Sequence, residues 1–286
     1  MKKKIWISIA LLAVIVIVII SYTAGSHDKD SNVITVGSVT SDADIWRHLA
    51  KSEEAKKLKL NIEVKEFTDG LTLNKATAEG QVDINAFQSY GYFKAFNKES
   101  KDGKLTSLGT TYLEPLGIYS EKYKNIKDIP SGATIAIAKD LADESRGLKL
   151  LADAGLISLD DNFGALDGLE KIKSNPHHFK FKEIDDTTGG RLLHDNGIDA
   201  VLISNSVSQA AGLNVLQDSI YHEHINNHTR ENINIIVTAA KNKNNESYKK
   251  LVTLYHAKAS QRYIAKKYHG TKTEVDKPLS YFEGDK

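Results

Sequence analysis

The sequence predicts an α/β protein built as two doubly wound lobes, and three observations carry that expectation. Short β-branched runs alternate with amphipathic stretches, and the alternation starts afresh near Tyr119. The 286 residues also suffice to bury two cores of roughly 100–150 residues each. With 41% hydrophobic and 26% charged residues the composition is ordinary for a globular chain, which excludes disorder along its whole length. The 38 Lys+Arg against 37 Asp+Glu leave a net charge of +1, which argues against a nucleic-acid binder that works by counterion release. Cysteine is absent, removing disulfides, thiolate metal sites, Cys nucleophiles and S-linked lipids together.

The first segment differs from the rest. Lys2, Lys3 and Lys4 precede a run from Ile5 to Ile20 without charge, Gly or Pro. A basic flank before an apolar run predicts an export signal or a membrane anchor over residues 1–25, with the lysines on the cytoplasmic side. The run is short for a spanning helix and long for a cleaved signal, so both fates stay open. Thr23-Ala24-Gly25-Ser26 resembles the lipobox of bacterial lipoproteins, with Ser26 in the place of the lipidated cysteine. A hydroxyl cannot form the thioether, so either the native chain keeps its helix as anchor or is secreted, or Ser26 replaces a cysteine. Residues 26–32 are polar and read as a tether.

Val33 to Gly37 is a β-branched strand, and Asp44 to Leu58 carries Ile45, Leu49 and Ala50 at helical spacing. Asn61 to Phe67 alternates at period two. Leu71 to Gly80, Gln81 to Asn85 and Ser89 to Asn97 follow as helix, strand and helix. In the second series Thr134 to Ala138 is a strand, and Asp143 to Ala154 is a helix that Gly155 ends. Phe179 to Ile184 and Asp199 to Ile203 are strands around a helix from Thr187 to His194. A strand from Asn232 to Val237 and one long helix from Glu246 to Lys267 close the chain. Strands separated by helices predict parallel sheets. No long linker divides the lobes, so the chain is expected to cross between them more than once.

A ligand in such a molecule belongs in the crevice beyond the carboxyl ends of the strands. Phe87, Tyr90 and Tyr92 follow one strand, Arg146 lies early in the helix after another, and Ser204, Asn205 and Ser206 follow a third. An Arg fork beside amide and hydroxyl groups, opposite aromatic rings, suits a ligand with a carboxylate, an amine and an apolar side chain.

Several motifs then fall in order over most of the chain. Leu113-Glu114-Pro115-Leu116-Gly117-Ile118-Tyr119-Ser120, Asp83-Ile84-Asn85-Ala86-Phe87-Gln88, Arg146-Gly147-Leu148 with Ala154-Gly155-Leu156-Ile157, and Asn234-Ile235-Ile236-Val237 are its landmarks. From about Val33 to Thr271 the chain resembles the NlpA/MetQ family, methionine-binding substrate receptors of bacterial ABC importers. The resemblance implies a bilobed type II periplasmic-binding-protein fold, with residues 33–115 and 230–286 as lobe I and 116–229 as lobe II. It implies a monomeric receptor that closes over a small amino acid or short peptide, needs no cofactor, delivers to an ABC permease and sits on the outer face of the cell membrane. Carried over by position, Arg146 holds the ligand carboxylate, Phe87 and Tyr92 wall the side-chain pocket, and Asn234 bonds the head group.

The departures are local. Gly70 stands where the family often has an aromatic, Ser89 where it has His, and Ser204-Asn205-Ser206-Val207-Ser208 where it has N-x-N-Y-A. They imply a roomier pocket with other head-group contacts, hence a short Met-containing peptide or related derivative in preference to free methionine. Two other readings compete. His222-Glu223-His224 with His228 offers donors for Zn²⁺ in a membrane-anchored metalloenzyme, although the helical H-E-x-x-H arrangement is missing. A surface scaffold that has lost transport is the other.

Overall fold

The computed structural model describes residues 33–283 with the exception of residue 102. The expected anchor 1–25, the tether 26–32 and Ser26 lie outside the described residues. Among those described, no helix is long and apolar enough to cross a membrane.

Two five-stranded sheets organise the chain. The first contains β1 (Val33–Val39), β2 (Asn61–Phe67), β3 (Ile84–Ser89), β4 (Leu105–Thr110) and the returning β13 (Asn234–Ala239), in spatial order β2-β1-β3-β13-β4. The second contains β6 (Gly117–Tyr119), β7 (Thr134–Ala138), β10 (Lys180–Ile184), β11 (Ala200–Ile203) and β12 (Tyr221–His222), in order β10-β7-β11-β6-β12. Small ribbons pair β5 (Tyr112–Leu113) with β14 (Thr273–Glu274) and β8 (Ser158–Leu159) with β9 (Ile172–Ser174).

The sheets are mixed, where the sequence predicts parallel ones. β1 runs parallel to β2 and β3, and β7 to β10 and β11, as expected of strand-helix-strand units. β13 instead lies antiparallel between β3 and β4, and β6 antiparallel to β11 and β12. The physical reason is connectivity. β13 enters the first sheet from the second rather than by a helical crossover of its own, so nothing forces it parallel.

Helices cover the sheets: α1 (Thr40–Ala50), α2 (Glu53–Lys57), α3 (Gly70–Glu79) and α4 (Tyr90–Glu99) belong with the first. α5 (Leu141–Asp153), α6 (Gly189–Leu192), α7 (Asn205–Ala210) and α8 (Val215–Asp218) belong with the second, and α9 (Glu246–Tyr255) and α10 (Lys258–Lys267) return to the first. Their starts are capped as their sequences allow. Asp69, Ser89 and Asp140 accept from backbone N–H groups in the first turns of α3, α4 and α5.

Two expected helices are broken by side chains rather than by Pro. Between α1 and α2, Ser52 donates to the Leu49 carbonyl and accepts from the Ala55 N–H, ending one helix and starting the next. Between α9 and α10, Ser260 and Gln261 donate to the Leu254 and Tyr255 carbonyls, each at 2.6 Å. The stretch expected as a strand from Gln81 begins only at Ile84, because the Asp83 carboxylate accepts the Thr35 N–H and fixes a turn ahead of the strand.

The first core packs Trp46, Leu49, Ile84, Ile236, Leu251 and Leu254 between α1, the sheet and α9. The second packs Ile118, Ile135, Ile137, Leu148, Leu151 and Leu202 around α5. Residues 111–116 and 223–233 carry the chain across between the sheets. β14 pairs with β5 and so fastens the C-terminal segment onto the first crossing.

Candidate functional site

On the side of the first sheet, Phe87 lies within β3 rather than after it, because the strand runs on to Ser89, and it meets Tyr92 edge to face, with ring centroids 6.0 Å apart. A Cβ at Gly70 would lie 2.5 Å from Phe87 Cε2, so the Phe87 ring occupies the room that an aromatic at position 70 would need. The missing aromatic therefore does not make the site roomier at this point, contrary to the expectation. Tyr92 remains 43% exposed.

Asn234 starts β13 beside this pair. With its amide nitrogen turned inward it donates to the Phe87 and Gln88 carbonyls, at 3.1 and 3.3 Å. Phe87 and Asn234 also share a cavity of about 10 Å³ with Asp42, Thr111 and Tyr112, space for no more than one water. Tyr90 turns away from the pair and stacks on Phe282, centroids 3.8 Å apart.

The other residues of the β3 motif build the fold. Asn74, Thr77, Asn85 and Gln88 are all buried and bond one another: Asn85 Nδ2 reaches Asn74 Oδ1 and Thr77 Oγ1, and Gln88 Nε2 reaches both Asn oxygens. Buried amides that satisfy one another in this way position β3 against α3.

From the second sheet comes Arg146, on the second turn of α5. Its Nε donates to Glu223 Oε1 at 2.8 Å and its Nη2 to Glu223 Oε2, while Nη2 also reaches the Glu114 carbonyl at 2.7 Å. This is a bidentate fork on a carboxylate, and Nη1 keeps no partner among the described residues. Burial opposes the guanidinium charge, but Glu223, with Asp143 and Glu114, outweighs it and raises the Arg146 pKa above its ordinary value. Glu223 also accepts from the Leu116 N–H at 2.9 Å and from Asn232 at 3.2 Å.

Glu223 is thus committed to Arg146. His228 pairs with Asp153, and the His222 and His224 rings lie 4.6 Å apart. Among the described residues no group of three or more His, Asp or Glu side chains is placed to hold a metal ion.

Asn205 opens α7 and is 3% exposed. Its Nδ2 donates to Glu114 Oε1 at 3.1 Å, and its Oδ1 has no partner among the described residues. Ser204 and Ser206 face elsewhere. Ser204 Oγ donates to Asp186 at 2.7 Å and lies 3.2 Å from the Ser206 hydroxyl, and Ser206 lines a groove between α6 and α7 on its own lobe.

Glu114 is the junction. Its carbonyl holds Arg146, and its carboxylate holds both Asn205 and the Lys272 ammonium, 3.1 Å away. Lys272 is 4% exposed, reaches Asp42 at 3.1 Å and the Tyr112 hydroxyl at 3.0 Å, and lies 4.1 Å from the Tyr112 ring centroid. Burial works against its charge, yet Asp42 and Glu114 together raise its pKa above the ordinary lysine value. Burial pushes the Asp42 carboxyl up, and Lys272 and the Tyr112 hydroxyl offset part of that. Contacts therefore run from Asp42 through Lys272 to Glu114, Arg146 and Asn205, and Asp42 lines the small cavity that Phe87 and Asn234 also line.

A model of the NlpA lipoprotein family matches residues 34–275. The chain belongs to the NlpA lipoprotein family. A Bacillus subtilis methionine-binding lipoprotein, MetQ, is 34% identical over 86% of this chain and 89% of its own length. The B. subtilis lipoprotein YhcJ is 32% identical over 98% of this chain and 96% of its own. Among solved structures, a Burkholderia cenocepacia nutrient-binding protein bound to methionine is 33% identical, with a TM-score of 0.67 over 85% of this chain and 99% of that one. A Coxiella burnetii periplasmic substrate-binding protein of an ABC transporter is 29% identical, with a TM-score of 0.68 over 85% and 100%. The bilobed architecture of this NlpA-family chain is that of periplasmic substrate-binding proteins.

Asp42, Glu114, Glu223 and Lys272 were not among the site residues expected from position after a strand. Glu114 lies within a landmark motif and Glu223 within the His-rich loop, which were the available signals. Asp42 and Lys272 carry none.

Proposed function

We propose that the chain is the extracytoplasmic solute-binding protein of an ABC importer, binding methionine, a short Met-containing peptide or a related amino-acid derivative. The observation that carries this reading is the convergence on Glu114. There an arginine with a free Nη1 and a buried amide with an unpartnered oxygen meet, and Lys272 links Glu114 to Asp42, which lines a small cavity with Phe87 and Asn234. In this reading a ligand carboxylate takes Arg146 Nη1, an amine takes Asn205 Oδ1, Asn234 supports the head group, and Phe87 and Tyr92 cover the side chain.

The ligand would touch both lobes, residues 33–115 with 230–286 on one side and 116–229 on the other, and so favour the closed form that a permease reads. The family relatives are named as lipoproteins, which supports a place at the outer face of the membrane, held by the N-terminal segment. A binding role without catalysis agrees with the family, and a monomer suffices for it.

The test is thermal denaturation of the full chain against a panel of amino acids and Met-containing peptides. A ligand of the native state raises the melting temperature with its concentration, by about 2.7 kcal/mol of stability at a hundred times Kd. A panel that leaves the melting temperature unmoved favours the scaffold reading instead.

A further inference from the structure

The Asn205 amide is not free to choose its orientation. A carboxylate only accepts hydrogen bonds, so the nitrogen must face Glu114 Oε1 and the oxygen must face the other way. That oxygen is buried with no partner among the described residues, and a buried acceptor of this kind calls for a donor. Glu114 in turn is held by the buried Lys272 ammonium, which Asp42 and the Tyr112 hydroxyl fix from the other side.

Charge points the same way. Asp42, Glu114 and Glu223 are three carboxylates in contact with only two cations, Arg146 and Lys272, so the cluster keeps one negative charge uncompensated. Asp143 adds a further acidic group facing Arg146. A protonated amine would neutralise the excess, whereas a further carboxylate would add to it. A ligand carboxylate also finds Arg146 Nε and Nη2 already bonded.

We propose that Glu114 and Lys272 are positioning residues that orient Asn205 as an acceptor, and that the site therefore selects ligands by a free protonated amine more strongly than by a free carboxylate. This rests on the receptor reading above and adds its selectivity. Ligands extended at the carboxyl end, such as peptides that begin with methionine, keep the recognised group. N-acylated ones lose it, and their carbonyl oxygen opposes Asn205 Oδ1 acceptor to acceptor.

The experiment is calorimetry on the full chain with L-methionine, L-methioninamide and N-acetyl-L-methionine. N-acetyl-L-methionine is expected to bind about 100-fold more weakly than L-methioninamide. Equal affinities, or the reverse order, overturn the proposal while leaving the receptor intact. Failure of all three, and of a dipeptide that begins with methionine, removes the receptor reading and the proposal with it.

Glu114→Gln, whose amide can donate or accept, should shrink the ratio of those two affinities to less than about 10-fold, because Asn205 can then turn over. Lys272→Arg keeps the charge and should preserve the ratio. A Glu114→Gln protein that melts as a folded chain and weakens both compounds equally would show a purely structural role and contradict the positioning one.

Discussion

Arg146 spends most of its fork on Glu223, whose side chain is only 4% exposed. Removing the arginine therefore leaves a buried carboxylate without its counter-charge. Arg146→Ala is expected to destabilise the fold by about 3 kcal/mol in urea unfolding, and Arg146→Ala with Glu223→Leu to recover more than half of that. Additive losses would mean that the pair contributes no coupling. Positions after strands pointed to Arg146, Asn205 and Phe87, because strand ends can be found from local periodicity, whereas Asn234 came only from the family resemblance. Lys272 and Asp42 could not be found so, being 230 positions apart and joined only by the fold. In sequence, Lys272 between two threonines looks like a solvated surface lysine, and its burial comes from β14 pairing with β5.

At the scale of elements, most strands and helices were legible, since apolar spacing survives in the sequence. The breaks within 44–58 and 246–267 were not, because hydroxyl and amide side chains make them without Gly or Pro. Strand alignment also depends on single acids. Asp199, just before β11, accepts the Thr134 N–H at 2.8 Å and the Lys122 ammonium at 2.9 Å, tying the starts of β7 and β11 together. Burial would raise its pKa, but these two bonds outweigh burial and hold it below the ordinary 3.8. A depressed carboxyl contributes stability that is present above the unfolded value and is lost as pH falls through the folded one. Asp199→Asn should therefore cost about 1 kcal/mol at neutral pH. The deficit should close as the pH drops below 3.8, as read by urea unfolding at several pH values. A deficit unchanged at low pH would assign the effect to packing.

For the whole molecule, the double alternation of strands and helices foretold two lobes, whereas the antiparallel returns of β13 and β6 follow from where the chain crosses and have no local signature. Those crossings make the candidate site. Residues 111–116 bring Glu114 between the lobes, and the C-terminal segment reaches the second lobe, where Gln209 donates to the Thr271 hydroxyl at 2.7 Å and Asn214 to the His269 carbonyl at 3.1 Å. A ligand bridging Arg146 and Asn205 to Phe87 and Asn234 would close on this shared frame, which is the central claim. Calorimetric titration of the full chain with L-methionine and with a dipeptide that begins with methionine tests it most directly. The account predicts saturable one-to-one binding of at least one of the two, abolished or weakened at least about 10-fold by Asn205→Ala, which removes the buried acceptor. Binding that Asn205→Ala leaves unchanged, or no heat from either compound, would contradict it.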